Sequence, residues 1–100
     1  MPEERILNNI AVVQRRSGNP SLARITAMKA IEINPELANM YGTIALSYAD
    51  ESNDEQFYNY LKQALDKGVY VWHHLDDSGF EKYRDTKRFK QLVSKYEHRK

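Results

Sequence analysis

Apolar residues recur along most of the chain at intervals of three and four, the period of a helix that buries one face. Leu7, Ile10, Ala11 and Gln14 share one such stripe, whose last member is polar. Leu22, Ala23, Ala27, Ala30 and Ile31 make a second, and Leu37, Tyr41, Ile44, Ala45 and Tyr48 a third. Phe57, Leu61, Ala64 and Leu65 make a fourth, and Phe89, Leu92, Val93 and Tyr96 a fifth. The breaks between stripes carry helix-boundary chemistry. Asn19-Pro20 and Asn34-Pro35 each set a capping side chain before a proline, whose missing N–H costs nothing in a first turn. Ser52-Asn53-Asp54-Glu55 and Asp85-Thr86 read as two more starts, with acidic residues where the helix dipole favours them. Gly18 and Gly68 read as stops. The pattern predicts five helices of about three to four turns, joined by connections short enough to fold neighbours into antiparallel hairpins. Between Gly68 and Arg84 it changes. Val69-Tyr70-Val71-Trp72 is too short for a sheet of its own and reads as an extended linker, followed by helical turns at Trp72–Asp76 and Gly79–Tyr83.

Shifted by 34 residues, the sequence overlays itself: Leu7 falls on Tyr41, Ile10 on Ile44, Ala11 on Ala45, Ala27 on Leu61, Ala30 on Ala64 and Ile31 on Leu65. Gly18 falls on Ser52, between the two predicted helices of each copy. The second copy reads Tyr41-x2-Ile44-Ala45-x2-Tyr48, then Phe57-x3-Leu61-x2-Ala64. The first reads Leu7-x2-Ile10-Ala11-x2-Gln14, then Ala23-x3-Ala27-x2-Ala30, closing on Asn34-Pro35. Small residues belong where helices cross closely, and large ones fill the gaps beside them.

On these residues the chain resembles the tetratricopeptide repeat (TPR) proteins, in which two helices recur with this period. The resemblance implies an all-α, right-handed α-α superhelix. A single domain, residues 1–100, then holds repeat 1 at about 4–34, repeat 2 at about 35–68 and a capping segment at 69–100. Gln14 stands where the family has an aromatic, Phe57 where it has a small residue, and Val69 where it has a closing proline. Phe57 therefore demands a hairpin that splays or packs differently. The order Gly68, Trp72, Leu75-Asp76, Phe80, Tyr83-Arg84, Asp85-x2-Arg88-Phe89-x2-Leu92 resembles the segment that closes the array in many bacterial TPR proteins. Its physical task is to cover the apolar end of a stack. No matching cover precedes Ile6, and two repeats are fewer than the three or so that usually stand alone. The expectation is a chain that ends a longer array, or one that self-associates through its first helix.

The resemblance also implies a function: a non-catalytic protein–protein interaction module that presents a concave groove to a peptide or helix. The first helix of each hairpin lines that groove in the family. This places Arg5, Asn9, Val12 and Arg16 there, with Asn39, Thr43, Leu46 and Asp50 at the equivalent positions. Val12 and Leu46 are apolar on the face expected to be wettest, which points to a peptide-contact strip unless the C-terminal segment folds over it. One TPR subclass grips terminal carboxylates of chaperone tails with Lys and Asn. Asn8 and Asn9 are present here, but Val12 and Thr43 replace the asparagines, so no such clamp is expected.

Charge refines the picture only locally. The net charge is +1 over 100 residues, yet residues 1–31 carry +3, residues 32–66 carry −6 and residues 81–100 carry +5. An acidic middle and a basic tail are able to steer a charged partner or a second copy. Lys82, Arg84, Lys87, Arg88, Lys90 and Lys95, interleaved with Tyr83 and Phe89, are the candidate nucleic-acid contacts, but Phe89 and Leu92 lie on the apolar side of that helix, so the basic residues read first as the solvated face of a cap. His73-His74 with Asp76 and Asp77 offers too few convergent ligands for a metal. No Gly-rich phosphate loop, G-x-S-x-G or H-E-x-x-H occurs, and Asp50, Glu51, Asp54 and Glu55 read as helix-end charges, so neither an enzyme nor a cofactor is expected. The seven tyrosines read as packing wedges. The absence of cysteine fits the cytoplasm, and no apolar run approaches a membrane span.

Overall fold

The computed structural model describes residues 3–36, 38–68 and 78–97. Among them there are six α-helices and no strand: α1 (Glu3–Arg16), α2 (Pro20–Ile33), α3 (Ala38–Asp50), α4 (Asp54–Asp66), α5 (Glu81–Arg84) and α6 (Lys87–Glu97). A 3-10 turn, Ser78–Phe80, leads into α5. It coincides with the turn expected at Gly79–Tyr83. The expected linker Val69–Trp72 and turn Trp72–Asp76 lie outside the described residues, as does Leu37 of the third stripe.

The helix ends follow local chemistry, with two departures. Gly18 and Gly68 adopt φ of +90° and +86° after α1 and α4, where a Cβ would be strained. Asn53 caps α4 by accepting a hydrogen bond from the Gln56 N–H at 3.3 Å. Thr86 does the same for α6, its Oγ1 accepting from the Phe89 N–H at 3.3 Å. Asn19 precedes Pro20 as expected, but its side chain makes no capping bond. Asn34-Pro35 does not start a helix. Proline pushes the residue before it into extended backbone, so Asn34 instead closes α2, its N–H returning to the Ala30 carbonyl. The Asn34 side chain accepts from the Glu36 N–H at 3.1 Å, and α3 begins only at Ala38.

Helices α1 and α2 pack together as one hairpin and α3 and α4 as the next, with α2 seated on α3 and α1 also touching it. The alanines of both copies, Ala11, Ala23, Ala27, Ala30, Ala45 and Ala64, are fully buried, as small residues between packed helices should be. Ile44 of α3 sits in a cluster with Ala11, Ala23 and Ala27, so the second hairpin drives a large side chain into a small-residue face of the first. Polar groups tie the same joint. Arg15 of α1 reaches Asp50 of α3 at 3.1 Å. Arg24 of α2 pairs with Glu51 at 2.7 Å, donates to Ser47 Oγ at 3.1 Å and lies 4.1 Å over the Tyr48 ring.

The other side of the second hairpin is closed by the C-terminal segment. The Phe57 ring stacks on Tyr83 at 3.9 Å and meets Phe80 at 6.0 Å. Phe80, Tyr83, Phe89, Val93 and Tyr96 complete one core with Leu46, Ala49, Phe57, Tyr58 and Leu61. This is how the outsized Phe57 is accommodated: aromatic rings of the C-terminal segment, rather than the small face of another hairpin, receive it. Burying it contributes about 1.5–3 kcal/mol before packing contacts are counted. Two hydroxyls pin the segment. Tyr83 donates to Asp54 at 2.6 Å, and Tyr96 donates to Asp66.

Candidate protein-interaction surface

The eight residues expected to line a groove do not share one environment. Arg5, Asn9, Arg16 and Asn39 are exposed and Val12 is half-buried. Thr43 is buried, its Oγ1 lying 3.3 Å from Asn8 Oδ1 on α1 and 3.3 Å from the Asn39 carbonyl. Asp50 is exposed as a residue, but its carboxylate is engaged by Arg15. Leu46 is the clear correction. It is only 7% exposed and belongs to the core with Phe57, Phe80 and Tyr83. The 3-10 turn packs on α3, so the C-terminal segment folds back over the place where an apolar strip was expected. Val12 and Leu46 are therefore not a matched pair of exposed side chains.

The exposed apolar surface lies on the first hairpin instead. Among the described residues, all seven large hydrophobic side chains classed by their exposure as surface residues sit on α1 and α2: Ile6, Ile10, Val13, Leu22, Ile25, Met28 and Ile33. Two of them, Ile10 and Leu22, were expected to face inward. The 34-residue shift explains the α1 set. Ile6, Ile10 and Val13 fall on Met40, Ile44 and Ser47. Those three are all buried, with Ile44 packed among Ala11, Ala23 and Ala27 of the first hairpin. Ile10, at the same repeat position, is 42% exposed. The α2 set has a different origin. Leu22, Ile25, Met28 and Ile33 fall on Gln56, Asn59, Lys62 and Lys67, which are exposed and polar. At positions the second hairpin leaves in water, the first carries hydrophobic residues. The repeat shift contained this signal, since it pairs apolar with polar residues at four positions.

Part of the uneven charge is paired within the fold. The acidic turn between α3 and α4 is met from three sides: Asp50 by Arg15, Glu51 by Arg24, and Glu55 by Arg88 at 2.9 Å. The hydrogen bond and charge of Arg88 hold the Glu55 carboxyl below its ordinary range, and the same bond raises Arg88. Arg88 also lies 4.0 Å over the Tyr58 ring. Together these groups line a shallow cleft of about 350 Å³ between α4 and α6, with Lys62, Leu92 and Lys95 on its walls. Lys62 is paired with Asp66 at 3.1 Å, whose hydrogen bond raises its pKa. Two cations of the cleft are thus offset by carboxylates.

No group of three or more metal-ligating side chains occurs among the described residues. His73, His74, Asp76 and Asp77 lie outside them. Among the described residues, no helix is long and apolar enough to cross a membrane.

Over 85 residues, 83% of this chain, the sequence is 31% identical to the Sol locus transcriptional repressor of Clostridium acetobutylicum. The chain spans about a quarter of that protein's length, the match covering 27% of it. No family model matches the chain. No solved structure matches it significantly.

Proposed function

We propose that this chain is a non-catalytic protein-interaction module with the stacking of a TPR-like superhelix, and that its first hairpin is the half that meets a partner. One observation carries this reading: the large exposed hydrophobic side chains are confined to α1 and α2, while the second hairpin and the C-terminal segment close around a common core. An apolar surface beside the exposed polar residues Arg5, Asn9, Arg16 and Asn39 suits a helix or peptide that buries one face and leaves the other wet. Paired alanines at both hairpin crossings and the 34-residue period support the TPR-like stacking. The module acts in the cytoplasm, in keeping with its cysteine-free sequence.

A second reading has the relative's name and the basic residues of α6 behind it: a part of a transcriptional regulator that touches nucleic acid through Lys87, Lys90 and Lys95. The pairing of Arg88 and Lys62 with carboxylates weighs against it. In vivo photocrosslinking tests both. A photoreactive residue at Asn9 or Ile25 captures a discrete protein band, and one at Asn59, on the polar face of α4, does not. Equal capture at all three positions, or none, removes the interaction reading. Steep loss of nucleic-acid binding with salt, abolished by neutralising Lys87, Lys90 and Lys95, establishes the second.

A further inference from the structure

We infer that the cleft between α4 and α6 is a docking site for a short acidic peptide segment of another protein, one of whose carboxylates sits between Lys62 and Lys95. The site is separate from the first hairpin and does not rest on its reading. Each wall of the cleft is a single helical stripe at i, i+3, i+4 and i+7, starting from Glu55 on α4 and from Arg88 on α6. Glu55 pairs with Arg88 near the start of both helices, and Tyr96 donates to Asp66 near the end of both, so α4 and α6 run in the same direction. Lys62 and Lys95, the last members of the two stripes, therefore share one end of the cleft. From first member to last a stripe runs about 10 Å, the length of about three residues of extended chain.

Charge selects the ligand. Lys62, Arg88 and Lys95 line the cleft with a single carboxylate, Glu55, which Arg88 already holds at 2.9 Å. Asp66, beside the cleft, answers Lys62 at 3.1 Å. Among the described residues Lys95 has no carboxylate partner, and the Gln91 side chain next to it on the same wall makes no hydrogen bond. A ligand carboxylate at this end relieves the repulsion between the two lysines and accepts a hydrogen bond from the Gln91 amide. Leu92, half-buried in the same wall, offers apolar surface to the ligand's neighbouring residue. The opposite end selects against a polyanion. There Arg88 lies 4.0 Å over the Tyr58 ring and is engaged by Glu55, whose own side chain is 82% exposed. A nucleic-acid strand repeats its charge at every phosphate and would run into Glu55. A peptide sets one carboxylate at the lysine end and leaves the Glu55 end uncharged.

NMR titration of the full, isotope-labelled chain with a short peptide of alternating glutamate and leucine provides the test. The expected result is saturable movement of the amide signals of α4 and α6, with those of α1 unmoved, and no response to the peptide in which glutamine replaces glutamate. Lys95→Glu weakens binding at least about tenfold, and Lys95→Arg, which keeps the charge, changes it by less than about threefold. Lys95 is exposed, so neither change should disturb the fold, and circular dichroism checks this. Lys90→Glu makes the same charge change on α6 outside the cleft and leaves binding within about threefold of the wild type. Silence of the α4 and α6 signals overturns the inference, as does binding indifferent to Lys95→Glu. Equal weakening by Lys90→Glu also overturns it, since that is diffuse attraction to a basic helix. So does a single-stranded oligonucleotide that binds more tightly than the peptide and depends on Lys87 and Lys90. A response confined to α1 and α2 overturns the cleft and leaves the first hairpin standing as the contact surface.

Discussion

At the scale of single residues, Leu46 and Tyr83 show how the C-terminal segment redefines the second hairpin. Leu46 lies on the α3 face that a concave groove would wet, yet it is buried with Phe57, Phe80 and Tyr83. Leu46→Ala is expected to cost about 2–5 kcal/mol in urea denaturation, the range for emptying a core leucine site. A solvent-facing groove residue would change stability by about 0.5 kcal/mol or less. Tyr83 links stability to alkaline pH. Burial first, and then the hydrogen bond to Asp54, raise its phenol above the ordinary value of 10.0. The folded state therefore favours the protonated hydroxyl. That contribution is fully present below 10.0 and is lost as pH climbs from there toward the folded value. Denaturation midpoints of the wild type should fall above 10.0. Tyr83→Phe should reduce that fall by the equivalent of about one proton, at the cost of the bond to Asp54 at neutral pH.

At the scale of elements, the helix stops and the helix interiors make opposite demands on glycine. Gly18 ends α1 at φ +90°, whereas Gly42 sits inside α3 with open space where a Cβ would stand. Gly18→Ala should destabilise by about 1 kcal/mol and Gly42→Ala should stabilise by about 0.5–1 kcal/mol, read as opposite shifts of thermal midpoint. The stripes of α4 and α6 were legible because each helix buries one face against one core: Phe57, Leu61, Ala64 and Leu65 are buried, as are Phe89, Val93 and Tyr96. In α1, Ala11 is buried and Leu7 and Gln14 are half-buried, but Ile10 of the same stripe is not covered. Periodicity shows which side of a helix is apolar and is silent on whether anything lies against it, so Ile10 shares the inward stripe and still stands 42% exposed. At Asn34-Pro35 the sequence carries a cap signal, but the proline holds Asn34 extended and delays α3 to Ala38.

At the scale of the whole molecule, two joints hold three pieces together, and they differ in kind. The first joint inserts Ile44 among alanines and adds the Arg15–Asp50 and Arg24–Glu51 pairs. The second is aromatic, centred on Phe57, Phe80 and Tyr83. A double-mutant cycle of Phe57→Leu and Tyr83→Leu should give a coupling of about 0.5–1.5 kcal/mol for the stacked rings. No coupling would mean that the C-terminal segment packs without depending on Phe57. Ion pairs drawn from distant parts of the chain also neutralise part of the regional charge within the fold. The acidic turn between α3 and α4 is met by arginines of α1, α2 and α6.

By itself the sequence determined the helices, the 34-residue period and the small residues at the hairpin crossings, because these depend on spacing along one chain. Tertiary structure decided which apolar faces are covered. Leu46 lost its solvent to a turn that follows it by some thirty residues, and Ile6, Ile10 and Val13 kept theirs because covering a surface takes a neighbour in space, which no periodicity encodes.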